Sequence, residues 1–257
     1  MRRRRIGIDV GGTGIKGAVV DLGSGAQHPE DYQATPTPAR PDAVAAAVAG
    51  MVAPWREFRG RLGVALPFTV EDGIARTAGN ISSEWIGTNA ETLFQAALGR
   101  KVVVLNDTDA AGIAEARYGA ADHSGTVLVL TFGTGIGSAV LRGGKLEPNT
   151  ELGQLYVDGQ LADGYASLSA LRSEQLPWRE WIGRANRFLR VVEEHDHYDL
   201  IVIGGGLTHE AVHWAGQLVT QAPLRHARFF NRAGVVGAAI AAEHGIHEVF
   251  RRSERLR

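Results

Sequence analysis

One device occurs twice in this chain, about half a chain apart: an apolar run, a glycine-rich turn and a second apolar run. The first copy is Ile6-Gly7-Ile8-Asp9-Val10, then Gly11-Gly12-Thr13-Gly14-Ile15-Lys16-Gly17-Ala18-Val19-Val20. The second is Thr126-Val127-Leu128-Val129-Leu130, then Thr131-Phe132-Gly133-Thr134-Gly135-Ile136-Gly137-Ser138-Ala139-Val140. Apolar alternation that resumes directly after the glycines predicts strand, tight turn, strand. Gly12-x-Gly14-x-x-Gly17 has the spacing of a dinucleotide fingerprint, but that fingerprint needs a helix after the glycines. Ala18-Val19-Val20 reads as strand, so the Rossmann reading is rejected. A glycine turn between antiparallel strands still aims backbone N–H groups at a phosphate, because no side chain blocks the approach. Asp9, at the mouth of the first turn, suits the water shell of a magnesium ion. Two such hairpins, one per half, predict a duplicated α/β architecture with a phosphate chain clamped between two domains.

Between them lies Leu105-Asn106-Asp107-Thr108-Asp109-Ala110-Ala111-Gly112, after the β-branched run Val102-Val103-Val104. That run predicts a buried strand, and the small residues after Asp107 open a helical pattern. Asp107 then sits at the C-terminal end of a strand, where open α/β sheets place ligands. A carboxylate there can take a proton from a substrate hydroxyl. Asn106 and Asp107 are equally good helix caps, and this stretch alone fits that role too.

The remaining segments follow the same logic. Residues 26–41 are rich in proline and polar groups and read as an irregular or edge segment. Residues 43–52 and 88–98 read as helices, the second ended by Gly99. Leu62–Leu66 reads as a strand closed by Pro67. Tyr165–Leu176 and Trp178–His195 read as helices, and Asp199–Ile203 as a buried strand running into Gly204-Gly205-Gly206. Those glycines allow a ring or phosphate to come close, or form a tight strand-to-helix turn.

Composition narrows the function classes. With no cysteine in 257 residues, disulfides and thiolate metal sites are excluded. A net charge of −1 gives no global sign of nucleic-acid binding. No apolar run nears the roughly 20 residues that span a bilayer, and no apolar stretch follows the charged start as in a signal peptide. A cytoplasmic protein with no membrane and no nucleic-acid partner is expected. His195-Asp196-His197 reads as a solvated helix end rather than a metal pair, and Trp178 with Trp181 as packing. Arg2–Arg5 can attract polyphosphate by charge, or simply be solvated.

Taken together and in order, the motifs resemble those of the ROK sugar kinases of the actin-like, ribonuclease-H-like ATPase superfamily. More narrowly they are similar to the bacterial polyphosphate glucokinases. The carriers are I-D-V-G-G-T-G-I-K-G (8–17), E-W-I-G-T-N-A (84–90), L-N-D-T-D-A-A-G-I-A-E-A-R-Y-G-A (105–120), L-T-F-G-T-G-I-G-S-A (130–139), P-N-T-E-L-G (148–153), I-G-G-G-L (203–207) and A-G-V-V-G-A-A (233–239). They cover nearly the whole chain. The resemblance implies an actin-like α/β fold with two domains around a cleft that closes on ligand. Residues 1–106, with a C-terminal helix 240–257 returning to them, would form one domain, and residues 107–239 the other.

The activity implied is phosphoryl transfer from polyphosphate, ATP or both to a sugar hydroxyl, the 6-hydroxyl of glucose or a related hexose. Asp107 matches the general base. Asp9, Gly11, Gly12, Thr13 and Lys16 match the first phosphate loop, with magnesium near Asp9. Thr131, Gly133, Thr134 and Gly135 match the second loop, and Gly204, Gly205 and Gly206 the nucleoside side. Asn80, Asn106, Asp107 and Glu151 fall at sugar positions. A homodimer is implied as well, and no zinc, since the family's cysteine motifs are missing.

The departures lie on the sugar side. Phe68 stands where the family has glycine, so a phenyl group is expected to project toward the ligand. Gln154 replaces a histidine and Tyr156 a glutamate, and the segment after Asn80 lacks the usual Asp and Lys. The acceptor is therefore expected to be glucose bound weakly, or another polyol. A sugar-binding ROK regulator or a kinase without turnover is the alternative class.

Overall fold

The computed structural model describes residues 3–79, 81–122 and 124–246. They divide into two compact units, Met1–Ala114 with Arg232–Arg257, and Glu115–Asn231.

The first unit is built on strands β1 (Arg4–Val10), β2 (Gly14–Asp21), β3 (Gln27–Ala34), β4 (Leu62–Leu66) and β5 (Val102–Asn106). Their order is β3-β2-β1-β4-β5. The first three form an antiparallel meander, and β4 and β5 join in parallel, with Ile6 beside Leu62 and Leu62 beside Val102. Every residue of β4 is buried, as its uninterrupted apolar sequence requires of a central strand. The polar stretch after Gly25 forms the exposed edge strand β3, where Pro29 removes no donor that the sheet needs. Helix α1 (Pro41–Val52) starts on its proline. Helix α2 (Ala90–Leu98) is capped by Asn89, which accepts from the Thr92 N–H at 2.9 Å, and ends at Gly99 with φ 61°. Helix α3 (Asp107–Tyr118) follows β5 without a loop.

The second unit repeats the plan. Strands β6 (Thr126–Phe132), β7 (Ile136–Arg142), β8 (Lys145–Glu147), β9 (Leu200–Gly205) and β10 (Leu224–His226) stand in the order β8-β7-β6-β9-β10, again a meander followed by two parallel strands. The helix expected over Tyr165–Leu176 is two shorter ones, α4 (Ala162–Ala166) and α5 (Leu168–Ser173). Ser167 divides them because its backbone is extended and its hydroxyl caps α5 at the Ala170 N–H, 3.1 Å away. The long helix α6 (Trp178–His195) buries Trp181, Phe188 and Leu189 against Phe132 and its neighbours.

Helix α7 (Ala233–His244) belongs to the first unit and lies on β1 and β4. It comes so close that a Cβ on Gly7 would stand 1.9 Å from the Val235 carbonyl oxygen, and one on Gly63 1.9 Å from that of Ala238. Only glycine permits that backbone approach. The duplicated sheet order is the actin-like α/β fold that the motifs imply. Residues 247–257 of the expected C-terminal helix lie outside the described residues.

Candidate active site

In the first unit, Asp9 stands one residue before the end of β1 and opposite Lys16 across the hairpin. The Lys16 Nζ lies 3.4 Å from Asp9 Oδ2. Burial raises the Asp9 pKa above the ordinary carboxylate value, and the Lys16 charge works against that rise. Gly234, in the first turn of α7, faces the carboxyl so closely that a Cβ there would be 2.8 Å from Asp9 Cγ. A carboxylate at the amino end of a helix is in a favourable field. The turn is closed by the Gly11 N–H donating to the Gly14 carbonyl at 2.9 Å. Thr35, just after β3, holds it by donating its hydroxyl to Gly11 O at 2.6 Å and its N–H to Thr13 O at 3.2 Å. Gly12 and Thr13 are left exposed at the tip.

The capping question at the end of β5 resolves by atom. Asn106 Oδ1 accepts from the N–H groups of Thr108 (2.8 Å) and Asp109 (3.0 Å), so Asn106 is the cap. Its amide donates to Phe68 O at 3.3 Å. Asp107 is the first helical residue, half-buried, with the Thr108 hydroxyl 3.3 Å from Oδ1. Asn106 thus anchors the start of the helix, and Asp107 carries the carboxylate.

Phe68 corrects an expectation. Its ring is 2% exposed and packs on Trp85 at 5.2 Å between centroids, inside the first unit's core. It does not project toward a ligand, because Trp85 offers it a buried aromatic partner. Asn80 lies outside the described residues.

In the second unit, the Gly133 N–H donates to Gly135 O at 2.9 Å, and the Ser169 N–H to Gly133 O at 3.0 Å. Gly204 and Gly205 pair in register with Thr131 and Phe132, beside that turn. Gly205 has φ 76°, and Gly206 opens a 3₁₀ turn. Glu151 precedes another 3₁₀ turn, Leu152–Gln154, which Ser138 anchors by donating to Thr150 O (2.7 Å) and accepting from the Leu152 N–H (2.9 Å). Tyr156 is 69% exposed.

Asp163, in α4, was not visible from the sequence. Its Oδ1 accepts from the Ile136 N–H at 2.6 Å, and its Oδ2 from Gln154 Nε2 at 2.9 Å. A Cβ on Gly135 would lie 3.1 Å from Oδ1 and one on Gly153 2.4 Å, so both glycines make room for it. Partial burial holds the Asp163 pKa up, against the pull of the two hydrogen bonds. Glu151 is raised by desolvation first and by the Asp163 charge second. Asp163 therefore joins the second glycine turn to the segment bearing Glu151 and Gln154. Two carboxylates and an amide gathered this way can hold the hydroxyls of a polyhydroxy compound.

Asp196 pairs with Arg142, His197 Nε2 stands 3.8 Å from Asp199, and among the described residues no group of three metal-ligating side chains occurs. Trp181 is buried with its Nε1 on Ala166 O at 3.0 Å, and Trp178 packs on its edge.

Comparison with known proteins bears on the family and the fold. The model of the ROK family matches residues 5–155. The polyphosphate glucokinase of Mycobacterium tuberculosis (strain CDC 1551 / Oshkosh) is 45% identical over 244 residues, 94% of this chain and 92% of that protein. That of Mycobacterium leprae is 44% identical, over 94% of this chain and 75% of its own. Among solved structures, the inorganic polyphosphate/ATP-glucomannokinase from Arthrobacter sp. strain KM superposes with a TM-score of 0.89 at 42% identity, covering 93% of this chain and 98% of that one.

Proposed function

The chain belongs to the ROK family, and from that premise we propose that it is a sugar kinase. It transfers a terminal phosphoryl group from polyphosphate, ATP or both to the 6-hydroxyl of glucose or a related hexose. The observation that carries this reading is 45% identity to a polyphosphate glucokinase across 94% of the chain.

The residues supply the chemistry as follows. Asp107 accepts the proton of the attacking hydroxyl, whose oxygen forms a bond to the terminal phosphorus while the bond to the donor's bridging oxygen breaks. The shortened polyphosphate, or ADP, leaves with that oxygen. Little covalent chemistry is asked of the protein, so positioning and charge neutralisation provide most of the acceleration. The backbone N–H groups of Gly12 and Thr13 in the first turn and of Thr134 and Gly135 in the second, with Thr131 and Lys16, hold donor phosphates, while the Gly11 and Gly133 N–H groups close the turns themselves. Gly204–Gly206 leaves room for a nucleoside. Asn80, Glu151 and Gln154 hold sugar hydroxyls, and Asp163 fixes the segment that bears the last two.

Asp9 fits magnesium. It is a largely buried carboxylate beside Lys16, an oxygen donor that would hold a hard cation, directly or through water. When bound, the ion neutralises charge on the donor. A homodimer in the cytoplasm completes the reading, on family resemblance. Among the described residues no helix is long and apolar enough to cross a membrane.

With Phe68 in the core, one of the four reasons to doubt glucose is gone, and glucose is the expected acceptor. A panel of glucose, mannose and a linear polyol, each with ATP and with polyphosphate, tests this. The reading predicts a hexose 6-phosphate from at least one donor. Release of orthophosphate with no phosphorylated acceptor across the panel overturns it.

A further inference from the structure

The parallel strands of the first unit begin in a row of cations. Ile6, Leu62 and Val102 stand in register on β1, β4 and β5, so the residues before them, Arg5, Arg61 and Lys101, align across three strands about 4.8 Å apart. One step further out come Arg4 and Arg100, and then Arg3 and Arg59. Like charges side by side across strands are destabilising. The burden is visible at Arg100, whose pKa is lowered by burial first and then by the charges of Arg5 and Arg59.

Part of this cluster has structural work. Arg100 donates to the carbonyls of Phe58 (2.6 Å) and Gly60 (2.7 Å), which fixes the loop before β4. Arg5 packs against Gly60 and pairs with Glu243 of α7, as does Arg3 at 3.3 Å. Arg4, Arg59, Arg61 and Lys101 are exposed. No ion pair among the described residues engages these four, so positive charge stands in excess at this edge.

From this row we infer a polyanion-binding surface at the entry edge of β1, β4 and β5, whose ligand is the inorganic polyphosphate chain itself, held away from the site of transfer. The inference rests on the donor reading above. Asp9 and the glycine turn lie at the other end of β1, roughly 16 Å from Arg4 at about 3.3 Å per residue. A long polymer can therefore engage both places, whereas ATP and tripolyphosphate are too short. Nucleic acid fits less well. Single-strand binding relies on exposed aromatic platforms, and the aromatic neighbours here are Trp55, which is buried, and Phe58, which is half-buried.

The test replaces Arg59, Arg61 and Lys101 together by Gln in the full chain and measures binding of end-labelled long-chain polyphosphate against salt. Three lost phosphate contacts should weaken long-chain binding by about tenfold or more and flatten the salt slope by roughly 2 to 3. Turnover with ATP should stay within about twofold, and Arg59→Lys with Arg61→Lys should bind like the parent, which separates charge from fold. Unchanged polyphosphate binding in the Gln variant overturns the inference. So does an equal loss with ATP, an equal loss in the Lys variant, or tighter binding of single-stranded RNA than of polyphosphate. A parent protein that uses ATP alone defeats the donor reading by itself, while the labelled-polymer titration still decides the surface.

Discussion

The two glycine hairpins share a sheet position but not a way of bringing charge to it. In the first, the carboxylate is on the strand: Asp9 stands two residues before Gly11 and faces Lys16 in register. In the second, the same strand position is Thr131, and the carboxylate arrives from elsewhere, as Asp163 of α4 on the Ile136 N–H. Four residues, Gly11–Gly14, separate the last paired residues of the first hairpin, and three, Gly133–Gly135, those of the second. The two units thus repeat strand, glycine turn and strand, while the length of the turn and the side chains around it differ. The first unit also holds Asp107, the proposed base, at the head of α3, and in the second Asp163 joins the turn to the segment bearing Gln154.

The largest effect that tests this division is on turnover. Asp107→Asn removes basicity and keeps size, and should lower kcat by about 10²–10⁴-fold. Asp163→Asn keeps an oxygen for the Ile136 N–H and should cost about tenfold or less, mainly in KM. Equal losses in kcat, measured side by side, would break the distinction between a base and a brace.

Stability separates two of the residues expected near the acceptor. Phe68→Ala empties a core position against Trp85 and should cost about 3–5 kcal/mol in denaturant unfolding. Tyr156→Ala, at an exposed position, should stay within about 0.5 kcal/mol. A Phe68 variant of full stability would return its ring to the surface.

Within the second turn the contrast sharpens further. Gly133 has open space where a Cβ would go, while at Gly135 a Cβ meets Asp163 Oδ1 at 3.1 Å. Gly135→Ala should raise the donor KM several-fold more than Gly133→Ala does. The reverse order in a donor titration would mean that Asp163 does not set the turn.

The smallest effect is on pH dependence. A carboxylate whose folded pKa is raised holds its proton more tightly folded than unfolded. Its share of stability is therefore present at low pH and lost as pH rises from the ordinary value, 3.8 for Asp163, through the raised one. Asp163→Asn should flatten that part of the stability curve, on the side above pH 3.8. An unchanged slope would place the effect on Glu151 or Asp9, which are raised too.

What the sequence disclosed follows from range. Both hairpins, β4, β5 and the helices α1, α2, α3 and α6 are written in local periodicity, and Asp107 in its place after an apolar run, whereas the break at Ser167 between α4 and α5 is not. Asn106 and Asp107 are both good caps by type, and only the path of the chain out of β5 chose between them. Phe68 turns inward because Trp85 and Phe94, from a later loop and helix, complete a pocket for it. Asp163 acts on Ile136 and Gln154, 27 and 9 positions away, with no spacing that marks it. Two glycines that yield space to it, Gly135 and Gly153, are its trace in the sequence, and glycine has many other reasons to occur.

The central claim is that this chain moves a terminal phosphoryl group onto a sugar hydroxyl. Phosphorus-31 NMR of the wild-type protein with glucose, magnesium and polyphosphate or ATP measures it directly. The account predicts a new phosphomonoester signal from glucose 6-phosphate, growing as the donor's terminal phosphate signal falls. Orthophosphate as the sole product with both donors, or donor signals that never change, would contradict it.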